Sequence, residues 1–477
     1  MNSIVNKIQK EFNNNPDLII KDIKLTFKTI YILFLESVSG SNKVNDYVLK
    51  NIINNKSKIT KKNISSFLAG PNTIKINNLD TIEFYLTNGF TIVIIDKNTF
   101  AVETKADINR NVSISDVETS INGPKDSFTE NYDINLGLIK RRIKSSSLKL
   151  KENIIGRKTI TKIGILYFDD ITDKTMVENI EIKIKGIDID GIVDSSSLAF
   201  LLDGENKTVY PTVFQTERPD LVATALMEGK IAIILDTSPY ILIIPAFFVD
   251  FINPNIDNYN KSINVNFIKI LRFLAFFISM ITPALYISLI DYNQESIPTS
   301  LLINFAIQRS GVPFPAFVET TVMLIICEIL RESDLRFPSS YGSTISILGA
   351  IIIGEASVAA GIVSPIMIIV VAVTFISSLI ITNSEMNNAL RFFRAIFLIG
   401  AGLFGLYGIL LAFCFFIIYT TNTKSFDKFY FAPIVPFDKN YFFNVVLKRP
   451  LKHDKKRSKL FTTKNINKQK VNIWKNY

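Results

Sequence analysis

The chain has 477 residues, 48% of them hydrophobic, and a net charge of +10, so it is long enough for several domains. Residues 420–477 hold fourteen Lys/Arg against three Asp, which leaves the rest of the chain near neutral and argues against a nucleic-acid-binding body. The two cysteines, Cys327 and Cys414, sit in apolar segments and the one histidine, His453, in the tail. This excludes zinc-ligand spacing, a disulfide framework and a Ser-His-Asp or Cys-His triad; neither an enzyme nor a cofactor is expected.

Residues 1–65 begin polar, with Lys7, Lys10, Glu11, Pro16 and Asp17, and lack the apolar core of a signal peptide. Val44, Val48, Leu49, Ile52 and Ile53 recur at helical spacing, so this N-terminal region reads as short helices. Beyond it Gly89-Phe90-Thr91-Ile92-Val93-Ile94-Ile95-Asp96 reads as a strand ending in a turn, with Phe100-Ala101-Val102 returning. Gly229-Lys230-Ile231-Ala232-Ile233-Ile234-Leu235-Asp236 and Tyr240-Ile241-Leu242 repeat the pattern 140 residues later. Helix-like stretches, Leu79–Leu86 and Pro219–Met227, precede the copies, and Asp opens each turn. The expected architecture is an α/β soluble N-terminal domain of two related subdomains, 66–135 and 136–254; chance likeness of two hairpins is the alternative.

The second subdomain adds a strand at Thr159–Phe168 and a helix over Thr172–Lys185. Asp188-Ile189-Asp190-Gly191-Ile192-Val193-Asp194-Ser195 lacks calcium-loop spacing and reads as a polar helix-to-strand turn. Ile139-Lys140-Arg141-Arg142-Ile143-Lys144 is a basic stretch on a helix, either solvated or facing headgroups or a partner.

A juxtamembrane linker, 255–266, leads into 267–419, read as an α-helical polytopic membrane domain with four to five membrane segments. The apolar runs are 268–290, 313–331, 344–361, 364–382 and 392–419; roughly 20 helical residues cross a core of about 30 Å. The last, at 28 residues, must tilt or overrun it. Lys261, Lys269 and Arg272 lie at the start of the first run and Asp291 and Glu295 after it, which places the N-terminal half in the cytosol. Five crossings would strand the basic tail 420–477 outside, so one segment is expected not to span, with 298–315 and 344–361 the suspects. A basic tail beside a membrane is expected to meet anionic lipid headgroups.

Acids inside such runs cost roughly 2.5–3.5 kcal/mol each on insertion and need a reason. Glu328 lies three residues before Arg331 on one helical face and is expected to be balanced by it. Glu319, beyond the hinge prolines Pro313 and Pro315, and Glu355, deep in its run before Pro365, stay open between a pore or proton path and hydrogen bonding to neighbouring helices. The run 344–361 is rich in small residues, among them Ser346, Gly349 and Gly354. It suits close packing within one subunit or a pore-lining helix of a ring, gated by apolar side chains such as Ile352, Ile353 or Val358.

Ordered motifs run through the chain: Gly123-Pro124 with Phe128-Thr129-Glu130, Asn135-Leu136, Arg141-Arg142, Asp188-Ile189-Asp190-Gly191-Ile192 and Gln215-Thr216-Glu217-Arg218-Pro219-Asp220 in the soluble half. Pro283-Ala284-Leu285-Tyr286, Ile297-Pro298, Gly311-Val312-Pro313-Phe314-Pro315, Glu328-Ile329-Leu330-Arg331-Glu332, Gly342, Gly354-Glu355-Ala356 and Ala360-Gly361-Ile362-Val363-Ser364-Pro365 follow. Together they resemble the A subunit of spore germinant receptors, the GerA family, over roughly 80–450. The resemblance implies a subunit of the inner spore membrane with its N-terminal domain toward the spore core. It also implies a transporter-like B subunit and a lipoprotein C subunit as partners, and homo-oligomerisation into a nutrient-gated cation channel. A non-conducting scaffold and a secondary transporter are the other readings; the latter lacks the inverted membrane repeats it would need.

Overall fold

The computed structural model describes the chain apart from residues 1–2, 13–14, 26–27, 61–62, 77–80, 97, 107–122, 204–207, 254–256, 258, 335–351, 451–452, 461, 463–464 and 469–477. Ser346 and Gly349 therefore lie outside the described residues.

Two five-stranded antiparallel sheets make up the N-terminal half. The first is built from β1 (Leu18–Lys24), β2 (Thr29–Leu35), β3 (Thr73–Ile76), β4 (Phe90–Ile95) and β5 (Asn98–Glu103), in the order β1-β2-β4-β5-β3. The second is built from β6 (Leu148–Ile155), β7 (Thr161–Phe168), β8 (Phe214–Thr216), β9 (Ile231–Leu235) and β10 (Ile241–Ile244), in the order β6-β7-β9-β10-β8. Counted from its own first strand, each sheet has the same order. The 140-residue repeat is β4 and β9, each paired with its following strand and preceded by a helix, Ile82–Thr87 or Pro219–Glu228.

Their apolar sequences, interrupted only at Thr91, whose hydroxyl lies 2.8 Å from Thr104 Oγ1, follow from burial on both faces. Ile92 and Ile94 join one core and Val93 and Ile95 another. In β9, Ala232 and Ile234 face one core while Ile231, Ile233 and Leu235 face the other. Helices Tyr132–Arg142 and Pro219–Glu228 cover one face of the second sheet; Lys174–Gly186 and Ser195–Asp203 cover the opposite face.

Three expectations change here. Residues 1–65 are not a helical region: helices at Ser3–Glu11 and 41–54 flank β1 and β2, whose β-branched and aromatic residues complete the first sheet. The Asp188–Ser195 stretch joins two helices, not a helix to a strand, and its backbone carbonyls take the amides of Arg157 and Lys158. The basic stretch ends the helix Tyr132–Arg142, where buried Lys140 pairs with Asp17 of the first unit and Arg142 with Asp126 at 2.6 Å. These two charges hold the protein together internally.

Among the described residues of the C-terminal half two helices are long and apolar enough to cross a membrane, Ser262–Tyr292 and Ser384–Asn422; Pro365–Leu379 is apolar but shorter, at 15 residues. The expected four to five crossings are more than these helices support: Ala316–Asp334, at 19 residues, is long enough but carries several charges, and most of 344–361 lies outside the described residues. The run 392–419 does not tilt or overrun as one rod, because Ser384–Asn422 folds back on itself. Gly405 adopts φ 59°, ψ −137°, close to the first central position of a type II′ turn and open to glycine. On either side Gly400 and Gly408 meet backbone to backbone, and Phe393 packs on Phe416 with ring centres 5.1 Å apart. In a straight helix residues 393 and 416 would stand roughly 35 Å apart. The two arms measure roughly 30 Å and 25 Å.

The bundle has an end proximal to the sheets and a distal end. Proximally, Tyr210 of the soluble half stacks on Phe393 of the first arm and bonds Thr420 at the end of the second. Distally, the hairpin tip at Gly405 lies against Tyr292, and Arg309 lies 3.6 Å from Asp291. Thr299–Arg309, within the suspected stretch 298–315, has no buried residue and at about 16 Å is too short to span. The tail returns to the sheets. Tyr430 O accepts from Phe248 N at 3.0 Å, Ser425 Oγ donates to Thr212 O at 2.8 Å, and Lys468 pairs with Glu228. Three of the tail's fourteen basic residues thus meet carboxylates or carbonyls of the second sheet unit: Lys428 at Asp173, Arg457 at Met227 O and Lys468 at Glu228.

Candidate functional site

Buried charge gathers at both ends of the bundle. At the distal end Glu319 stands in the first turn of helix Ala316–Asp334, only 1% exposed. Its Oε1 accepts from Ser364 N at 2.5 Å and Ser364 Oγ at 2.6 Å. Ser364 is the N-cap of Pro365–Leu379 with Pro365 at the first helical position, so Glu319 meets the positive end of that helix's dipole. Arg309 Nε lies 3.9 Å from its other oxygen. Glu319 thus joins two helices of one chain by charge-assisted hydrogen bonds. Pro313 and Pro315 are exposed in the loop leading to its helix.

At the proximal end Glu328 is balanced by more than Arg331. Arg391 lies 3.3 Å from it, and Arg331 and Arg394 each 3.6 Å. Arg331 also donates to Ser378 Oγ at 2.9 Å. Pro283 has a part in this arrangement. Lacking an N–H, it leaves the carbonyl of Ser279 free inside Ser262–Ile287, and Arg394 Nε donates to that carbonyl at 2.9 Å. Sequence reasoning missed Arg391 and Arg394; the available signal was Arg391-Phe392-Phe393-Arg394 directly before the uncharged run 395–422.

Glu355 lies on a short helix, 352–359, and is exposed. Ile352, Glu355, Ala356 and Ala359 form its exposed stripe, whereas Ile353, Gly354 and Val358 are half-buried, Val358 against the bundle core. The structure does not bring Glu355 together with Glu319 or Glu328: one is exposed and the other two sit at opposite ends.

Among the contacts that join the N-terminal half to the bundle, two carry hydrogen-bonded tyrosines. In one, Tyr210 stacks between Phe393 at 5.3 Å and Tyr430 at 5.0 Å, and its hydroxyl lies 2.8 Å from Thr420 Oγ1. Burial pushes its phenol well above the ordinary range, with the Thr420 bond opposing. The other explains the Gln215–Asp220 motif. Arg218 clamps Asp220 at 3.1 and 2.8 Å and reaches Pro124 O, while Tyr259 of the juxtamembrane linker donates to Asp220 at 2.5 Å. Gly123, at φ 124°, leaves room for the Tyr259 ring, which a Cβ there would approach to 2.7 Å. Burial pushes Asp220 up, but the hydrogen bonds from Arg218 and Tyr259 and the guanidinium charge outweigh it and hold the carboxyl low. Burial, then the bond to Asp220, raises the Tyr259 phenol to about 12. Next to it Arg272 pairs with Asp257 at 2.5 and 3.0 Å, so one of the flanking charges used to orient the first segment is neutralised within the protein.

Fold and site together define a double-sheet α/β unit locked onto a helical, membrane-competent bundle with buried charge at both ends. The chain belongs to the GerA family: the model of the Bacillus/Clostridium GerA spore germination protein matches residues 6–460. Spore germination protein KA of Bacillus subtilis (strain 168) is 33% identical, over 94% of this chain and 84% of its own length. Spore germination protein GerLA of Bacillus cereus is 30% identical, over 91% and 90%. The crystal structure of the N-terminal domain of the A subunit of the Bacillus megaterium spore germinant receptor GerK3 aligns at 28% identity and a TM-score of 0.40, over 51% of this chain and 94% of that one.

Proposed function

We propose that this chain is the A-type membrane subunit of a germinant receptor, which triggers spore germination in response to nutrients by oligomerising into a cation channel in the inner spore membrane. Its membership of a spore germination family supports the germination role. The observation that carries the channel reading is the exposed stripe Ile352, Glu355, Ala356 and Ala359: an acid among small and apolar residues on a helix beside an apolar bundle. In a ring of subunits that stripe would face the axis, Glu355 attracting cations and Ile352 closing the pore by dewetting. The half-buried Ile353 and Val358 would then support the gate from behind.

The path of the chain supports a membrane reading in which both ends share one side. Arg331 is proximal and Gly361, beside Gly311, is distal, so these two positions stand at opposite ends of the bundle. With the two hairpin arms the passes become even in number, and the basic tail returns to the sheets on the spore-core side. A transporter-like B subunit and a lipoprotein C subunit are the proposed partners, with nutrient recognition left to the former.

The test is cation flux from vesicles containing the purified full-length chain, alone and with its partner subunits. Ile352→Ala should leak without nutrient, and Glu355→Gln should cut flux while leaving assembly and thermal stability unchanged. A monomer in detergent with no flux under either condition would overturn the channel and leave a scaffold.

A further inference from the structure

In the proximal charge cluster three arginines share one carboxylate. Arg331, Arg391 and Arg394 surround one carboxylate, Glu328. The segment 335–351, which follows directly, contains no Asp or Glu.

The geometry is also open. The arginine nitrogens stand 3.3–3.6 Å from Glu328, and Arg331 Nε, Arg391 Nε and Arg394 Nη2 are buried donors with no hydrogen-bond partner among the described residues. Arg394 is only 5% exposed and anchored through Nε to Ser279 O, so its remaining nitrogens are held facing the cluster. Leaving such donors unmatched is costly, and guanidinium forks match tetrahedral oxyanions well. The Arg391 side chain, 37% exposed, gives the cluster an opening. Next to it in sequence Phe392 is exposed, as is Leu379 beside Ser378. The uncharged run 395–422 begins directly after Arg394, so the cluster sits where apolar surface meets charge.

We propose that Arg331, Arg391 and Arg394 form a binding site for a phosphate oxyanion, supplied by the headgroup of an anionic phospholipid on the proximal side of the bundle. Lipid is the favoured source because the opening adjoins exposed apolar side chains. The phosphate would join helices Ala316–Asp334 and Ser384–Asn422, where Glu328 alone reaches three arginines. Glu328 competes with the ligand for those donors.

The test uses the purified full-length protein in detergent, with thermal unfolding followed against phosphatidylglycerol, phosphatidylcholine of the same chains, and inorganic phosphate. Phosphatidylglycerol should raise the unfolding midpoint of the wild type and phosphatidylcholine should not. Arg391→Gln should weaken phosphatidylglycerol binding about tenfold, the loss of one charge-assisted contact. Glu328→Gln should tighten it, whereas a purely structural ion-pair cluster would be loosened by that change with no gain in binding. Stabilisation by inorganic phosphate and none by phosphatidylglycerol would keep the oxyanion site and assign it to the free ion. Equal response to both lipids, or Arg391→Gln binding phosphatidylglycerol like the wild type, would overturn the proposal. Flotation with phosphatidylcholine vesicles reports membrane association separately, so failure of the site and failure of the membrane reading are distinguishable.

Discussion

Replacing Gly408 with alanine tests the hairpin directly. The new Cβ would lie 1.8 Å from the carbonyl oxygen of Gly400, against the 3.0 Å below which real Cβ atoms essentially never approach another atom. Both parties are backbone, so no side chain can swing aside, and the arms must part by about 1 Å or more. Such a gap forfeits a quarter to a half of each van der Waals contact it opens. The contacts at risk include Phe393 on Phe416 and on Tyr419, and through Phe393 the seat of Tyr210. Overpacking of this kind costs about 1–3 kcal/mol and occasionally more, and the upper end is expected because neither arm can relax alone. Two controls bracket the result. Gly400→Ala meets Gly408 O at 2.8 Å and should cost about 1 kcal/mol, while Gly311→Ala meets nothing within 4 Å and should stay within about 0.5 kcal/mol of the wild type. Thermal unfolding in detergent ranks the three. If Gly408→Ala is as stable as Gly311→Ala, the reasoning fails and the helix runs straight through Gly405, with residues 400 and 408 about 12 Å apart.

Glu319→Ala should cost about 1–3 kcal/mol by leaving Ser364 N buried without an acceptor, and Glu319→Gln clearly less; equal losses in unfolding midpoint would mean that the carboxylate does not cap that helix. The folded pKa of Asp220 lies below its unfolded value, so its stabilisation is complete above about pH 4 and is lost as pH falls through the depressed value. Tyr259→Phe removes one of its hydrogen bonds, so the gap in unfolding midpoint between wild type and variant at pH 7 should shrink as pH falls through the depressed folded value; a constant gap would refute the linkage. Tyr210→Phe should cost about 0.5–1.5 kcal/mol through the lost Thr420 bond. Tyr210→Ala should cost about 3–5 kcal/mol, and limited proteolysis should then cleave between the sheets and the bundle.

Much of the architecture was legible in local pattern. The strands β4 and β9 announce themselves because burial on both faces favours apolar residues at nearly every position, Thr91 with its Thr104 partner being the exception, and the same register recurs 140 residues apart. β1 and β2 were harder: Leu18–Lys24 mixes Ile with Lys and Asp and lies beside short helical stretches, and only pairing with β4 through β2 fixes it as strand. The Glu328–Arg331 contact follows from helical spacing alone. Arg391 and Arg394 join it from a helix some sixty residues on, and no local rule connects them.

The sequence by itself determined the division into a soluble α/β half, an apolar helical half and a basic tail, together with the family, because composition, periodicity and ordered motifs are properties of the chain. Tertiary structure decided where the charges end up. Pro283 frees a carbonyl that only a neighbouring helix can use, and Glu319 finds a helix N-terminus that only folding brings near. Gly405 reverses a run that reads as one long segment, since a single glycine in an apolar helix does not say whether it turns until Gly400 and Gly408 meet. That reversal brings the basic tail back to the sheets, because the side on which a chain emerges depends on the number of its passes and not on the composition of any one of them.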